Sequence, residues 1–427
     1  MSAGTPNQNK SKKLNWATLM VMSTAYMAVV LNMQGIKALL PRIQQEFMIT
    51  GFEAGLYSTF YFASATLIAI YSGRIVDSIG PKRGLIFGVG SVGILIILQA
   101  ISPTYLLILF LAFFAGFGFS IVTPSASKGV LNIVPKEKRA FSLGVTQSGA
   151  SIGGILGALI LPPLAEVLGW RTALLFSAGF AILMSLFIVK FYKTDASNQG
   201  NGNDSQDSNQ QNSSLKDDVF YLLKFKYLVW ICVMGAVFGM GISSVATHLP
   251  LYLQQDIGFG STLAGIGLAV FQAGGILAHL GWGWFSDSVL NGDRRTALVI
   301  VGILVAVLSL LVGGVVTPAA ANISPVLVML SAFLLGLTIL GLPALYLSAI
   351  GEAVEDRYVG TATGIALTFV RVANVIFPPI FGLFADLSGD YGISWIFLGL
   401  IIMAISISFY WFTKESSSYQ TSSSRTV

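Results

Sequence analysis

Long apolar runs, each closed by a few polar or charged residues, dominate this chain. They fall at roughly 16–40, 53–73, 84–101, 104–130, 140–163 and 172–190, and again at 227–252, 262–285, 296–316, 325–350, 359–384 and 393–413. A helix needs about 20 such residues to cross some 30 Å of hydrocarbon, and each run is of that order. Between the sixth and seventh runs, 194–225 is rich in Asn, Gln, Ser, Gly and Asp, a composition that buries little and reads as a flexible linker. The pattern predicts an all-α membrane protein with twelve transmembrane helices in two six-helix bundles, 16–193 and 226–413, flanked by polar tails at 1–15 and 414–427.

The polar breaks repeat. Gly73-Arg74-Ile75-Val76-Asp77-Ser78-Ile79-Gly80-Pro81-Lys82-Arg83 separates the second and third runs, and Gly283-Trp284-Phe285-Ser286-Asp287 followed by Asp293-Arg294-Arg295 separates the eighth and ninth. A glycine four residues before an aspartate, kept at one place in each hydrophobic half, marks a duplicated chain of the kind that builds transporters. The first turn resembles the signature loop of the major facilitator superfamily, Gly-x3-Asp-x2-Gly-x-Lys/Arg-Lys/Arg, at every position. The resemblance implies a conformational switch at Gly73, Asp77, Gly80, Lys82, Arg83, Gly283 and Asp287. It also implies that Asp77 faces the start of the eleventh helix and basic residues of the loop between the fourth and fifth helices such as Arg139, latching the outward-open state.

Composition agrees. Hydrophobic residues make up 54% of the chain and charged ones 10%, against about 25% charged in soluble domains. The net charge of +5 comes from basic residues between apolar runs, where they set orientation rather than bind nucleic acid. Lys82, Arg83, Lys136, Lys138, Lys190, Lys193, Lys224, Lys226, Arg294, Arg295 and Arg357 fall on the side of the tails, whereas Arg42 and Arg171 fall opposite. Both termini are therefore expected in the cytoplasm of a cell whose plasma or inner membrane holds the protein. The single cysteine, Cys232, excludes internal disulfides. No metal site, cofactor or catalysed reaction is expected.

Candidate chemistry lies in the polar groups that a bilayer should exclude. Lys37, Lys128 and Arg371 fall within apolar runs, and no carboxylate is placed as deeply. A mid-membrane lysine or arginine costs about 2.5–3.5 kcal/mol on insertion scales, so each needs a cavity, a partner or a substrate. Lys37, four residues before Pro41, and Lys128, seven before Pro135, could each extend to an interface if a proline ends the helix. Arg371 is too deep for that, and Glu352 is its rival protein partner. Tyr26, Asn32, Gln147 and Asn374 are candidates to line a midplane cavity. His248 and His279 are candidate proton sites, or packed neutral imidazoles. Pro162-Pro163 and Pro378-Pro379 are expected to end the fifth and eleventh helices.

Lys128, Pro135, Lys138-Arg139, Gly144, Gln147-Ser148-Gly149 and Gly153-Gly154 resemble the anion:cation symporters and cyanate-type porters of the superfamily. That resemblance implies basic residues of the first and fourth helices holding an anion. Lys37 stands about a turn later than the usual position in the first helix, which is nearer Asn32. A basic residue in the eleventh helix resembles the oxalate:formate exchangers. The expectation is a monomeric secondary transporter of a small anion, a carboxylate above all, coupled to a proton or a counter-anion. An oxalate/formate-type exchanger and a proton-driven efflux porter for neutral or drug-like compounds remain alternatives.

Overall fold

The computed structural model describes residues 16–134, 139–192 and 215–413. Their order is α1 (Trp16–Phe47), α2 (Gly51–Ile79), α3 (Pro81–Ala100), α4 (Tyr105–Ile133), α5 (Arg139–Leu168), α6 (Trp170–Phe191), α7 (Leu215–Leu222), α8 (Lys226–Gln255), α9 (Ser261–Ser288), α10 (Arg294–Leu311), α11 (Pro325–Ile339), α12 (Leu342–Ala353), α13 (Val359–Ser388) and α14 (Gly392–Thr413). Among the described residues ten helices are long and apolar enough to cross a membrane singly, and α2, bent by 64° between Ala69 and Tyr71, adds an eleventh. The tenth apolar run supplies the twelfth span as α11 and α12, which meet at Leu340 and Gly341. Helices α1 to α6 form one bundle and α8 to α14 the other, joined chiefly by α2 against α13, α5 against α9 and α1 against α8. We call the face that carries Asp77 and Asp287 the basic face, and the opposite one the far face.

Local chemistry explains where many helices start. Thr50 caps α2, accepting from the Glu53 amide at 3.2 Å while the Glu53 carboxylate accepts from the Thr50 amide at 2.8 Å. Thr104, Asp293 and Ser324 cap α4, α10 and α11 in the same sense. Gly80, with φ of 82°, ends α2 and admits Pro81 as the first residue of α3. That left-handed backbone is why a glycine stands there.

Three proline expectations are overturned. Pro41 lies inside α1, Pro162 and Pro163 inside α5, and Pro378 and Pro379 inside α13. A proline frees the carbonyl four residues before it, and neighbouring helices can take it up. For Pro379 that carbonyl belongs to Val375, which accepts from Thr59 Oγ1 of α2 at 2.5 Å. Glycines let the helices meet at these points. A Cβ on Gly55 would stand 2.5 Å from the backbone of Pro378 and Pro379, and one on Gly265 would stand 2.5 Å from the Ala158 carbonyl and Pro162. The continuation of α1 also removes the route by which Lys37 was to reach the surface.

The linker expectation needs amending at one end. Residues 194–214 lie outside the described residues, but Leu215–Leu222 is helical, and Tyr221 meets Tyr358 with ring centroids 5.4 Å apart. The helix forms against an apolar seat that includes Phe225, Val354 and Tyr358.

Candidate functional site

At the far face the two bundles are closed on one another. Ser58 and Thr247 share a hydrogen bond of 2.7 Å, Gln255 Nε2 donates to Gln44 Oε1 at 2.5 Å, and Glu166 Oε1 accepts from the Thr262 amide at 2.9 Å. Asp386 accepts from the amides of Gly51 and Phe52. Below this seal lies a cavity of about 390 Å³ between the halves. Phe62, Ala65, Thr66, Ala69, Ser72 and Gly73 of α2, Phe119, Ser120, Thr123 and Pro124 of α4, and Leu367, Val370, Arg371 and Asn374 of α13 line it. It descends along α2 to Gly73, the first residue of the charged turn on the basic face.

Arg371 and Asn374 stand one helical turn apart on α13 and reach the same cavity. Arg371 is half-buried and makes no ion pair among the described residues. Its rival partner is spent elsewhere, because Glu352 accepts from Arg294 Nε at 3.1 Å and Arg294 also pairs with Asp287 at 2.6 Å. The Asn374 Oδ1 is buried and lacks a hydrogen bond among the described residues. Tyr26 stacks on Phe119 at 6.4 Å and shares a 3.3 Å hydrogen bond with Thr123, which places it behind the cavity wall.

Lys37 is 2% exposed, and its ammonium lies 5.5 Å from the centroid of Phe62, a lining residue. It makes no ion pair among the described residues.

Other expected members lie elsewhere. Lys128 does not line the cavity and donates instead to Asp77 Oδ1 at 2.6 Å. In this conformation Asp77 thus meets a neighbour in its own bundle, whereas the expected contact with the start of α13 belongs to the opposite state, in which the basic face is closed. The side chain of Arg139 lies outside the described residues. Asn32 is fully buried and turns away from the seam, donating to Ala28 and to Ser177 of α6 at 2.8 and 3.3 Å. Gln147 is exposed and stands apart from the lining. His248 is a packed imidazole whose Nε2 donates to the Pro378 carbonyl at 2.8 Å, with Tyr391 3.5 Å from Nδ1. His279 is exposed on α9. Lys82 and Arg83 follow Gly80 in the charged turn, and Gly283 has open space where a Cβ would stand. Sequence reasoning missed the aromatic wall of Phe62 and Phe119, because among 29 phenylalanines nothing in the pattern marks these two.

A sealed far face and a central cavity between two equivalent bundles are what an alternating carrier requires. A family model for the Major Facilitator Superfamily matches residues 22–327 and 232–426. The chain belongs to that superfamily. It is a membrane transporter and not an enzyme. A probable sulfoacetate transporter of Cupriavidus necator is 25% identical over 394 residues, 90% of this chain and 90% of its own length. The cis,cis-muconate transport protein of Acinetobacter baylyi is 24% identical over 379 residues, 87% of this chain and 88% of its own. The solved nucleoside transporter NupG shares the fold of this transporter, with a TM-score of 0.75 at 14% identity over 93% of this chain and 99% of that one.

Proposed function

We propose that this transporter carries a small organic anion, a carboxylate or sulfonate, and that Arg371 holds its acid group near the middle of the membrane. The observation that carries the reading is the unpaired Arg371 guanidinium on the wall of the central cavity. An arginine cannot lose its charge, and its planar fork binds a carboxylate or sulfonate through two parallel hydrogen bonds. Asn374 offers an amide beside it. The relatives named for sulfoacetate and muconate support an anionic cargo. Among the described residues the lining contains no Asp or Glu, which disfavours efflux of cationic drugs in exchange for protons.

Orientation follows from charge. Lys82, Arg83, Arg294, Arg295 and Arg357 fall at the basic face, so that face is cytoplasmic and the conformation is open inward. The cargo leaves or enters the cytoplasm along α2 past Gly73. Transport then requires the far-face contacts to part while the basic-face ends of α2, α4 and α13 approach.

The test is ligand-induced stabilisation of the purified protein, since a ligand that binds only the folded state raises its melting temperature by mass action. A panel of carboxylates and sulfonates, each paired with its uncharged amide, is expected to yield anions that stabilise where the amides do not. Equal stabilisation by acid and amide would remove charge recognition from the site.

A further inference from the structure

Two cations stand uncompensated on opposite sides of the seam. Arg371 belongs to the second bundle and Lys37 to the first, and neither makes an ion pair among the described residues. Phe62 is the partition between them, since its ring lines the cavity that holds Arg371 and also faces the Lys37 ammonium at 5.5 Å.

The register of the helices sets their offset in depth. Hydrogen bonds from Gly51 and Phe52 to Asp386 hold the far-face end of α2 level with that part of α13, and α1 ends at Phe47, just before α2 begins. Lys37 lies ten residues below Phe47 and Arg371 fifteen below Asp386. At about 1.5 Å per residue these are depths of about 15 and 22 Å, a difference of about 7 Å. Lys37 is 2% exposed and is reached from the cavity only when the Phe62 ring turns aside.

We propose that the cargo is a dianion whose two acid groups are held by Arg371 and Lys37, bridging the two bundles. This rests on the anion reading above. A monoanion leaves one cation uncompensated where water is largely excluded, whereas two acid groups several carbon atoms apart satisfy both. Because one cation belongs to each bundle, a bridging dianion also draws the halves together as the site closes, which a monoanion bound to Arg371 alone does not.

The experiment is calorimetric binding to the purified full-length protein at neutral pH, with ethanedioate, butanedioate, hexanedioate and benzene-1,4-dicarboxylate each compared with its monoacid or monoamide. The separated diacids are expected to bind about tenfold tighter than their monoanionic partners, and ethanedioate is expected to gain least. Lys37→Gln is expected to remove the diacid preference, bringing diacid and monoanion affinities together. Lys37→Arg, which keeps the charge and guards against a folding defect, is expected to retain the preference. Equal binding of diacids and monoanions overturns the inference and leaves the anion reading standing. A diacid preference that survives Lys37→Gln also overturns it. Absence of binding by any of these acids removes both.

Discussion

The carboxylate of Asp386, near the end of α13, accepts hydrogen bonds from the backbone amides of Gly51 and Phe52 at 2.6 and 2.8 Å, so one bundle supplies the N-terminal cap of a helix in the other. The remaining donors of that turn are satisfied locally, Glu53 by the Thr50 hydroxyl and Ala54 by the Thr50 carbonyl. The related seam repeats the device. Glu166 of α5 accepts from the Thr262 amide at the start of α9, where Gly260 has no side chain to cap with. A charged group at a helix N-terminus contributes about 0.3–1 kcal/mol, and up to about 2 when partly buried.

Removing both caps should therefore release the far face. Asp386→Ala combined with Glu166→Ala is expected to shift the balance between inward-open and outward-open states several-fold toward the latter. Crosslinking of cysteines placed at Gln44 and Gln255, whose side chains now touch across the seal, reads this directly. A fall in yield is expected, and an unchanged yield would show that the caps do not hold the gate.

Lys128 provides a contrast with Arg371. Its pair with Asp77 is solvent-accessible, with the two side chains 33% and 69% exposed, and such pairs contribute about 1 kcal/mol or less. Lys128→Gln is expected to change stability by less than about 1 kcal/mol and anion affinity by no more than about twofold. A tenfold loss of affinity would return Lys128 to the binding site.

Acidity at the far face gives a pH prediction. Burial lifts the Asp256 carboxyl to about 6, the hydrogen bond from the Tyr391 amide opposes that rise, and Asp390 nearby adds to it. The folded value lies above the ordinary aspartate value of about 3.9. The protonated form is thus the one the fold prefers, and its stabilisation is full below about pH 4 and lost as pH rises through about 6. Relative to Asp256→Asn, the unmodified protein should lose about 2 °C of melting temperature between pH 4 and pH 7. Parallel curves for the two proteins would contradict this.

The fold was legible because a bilayer leaves few choices. Continuous apolar runs must become helices, and the repeated turns at Gly73 and Gly283 disclose the duplication. The prolines misled for a physical reason. Whether Pro379 ends a helix depends on Thr59, more than 300 residues away, taking up the Val375 carbonyl. No local pattern carries that information. The same applies to the cations, since a lysine in an apolar run looks alike whether it faces a carboxylate, as Lys128 does, or a ring, as Lys37 does. Asn32 was drawn toward the cavity by its depth, but depth does not say which face of α1 it occupies. It occupies the face toward α6.

The binding role of Arg371 is tested most directly by the affinity of Arg371→Gln for the best anion found, on protein whose melting temperature matches the unmodified one. Because Glu352 is engaged by Arg294 and leaves no carboxylate dependent on Arg371, the substitution is expected to preserve folding. It should reduce affinity about ten- to a hundredfold, the equivalent of about 1.5–3 kcal/mol for hydrogen bonds to a charged group, with Arg371→Lys falling between. Unchanged affinity in a folded Arg371→Gln protein would contradict the role assigned to Arg371 and, with it, the reading of the central cavity as an anion site.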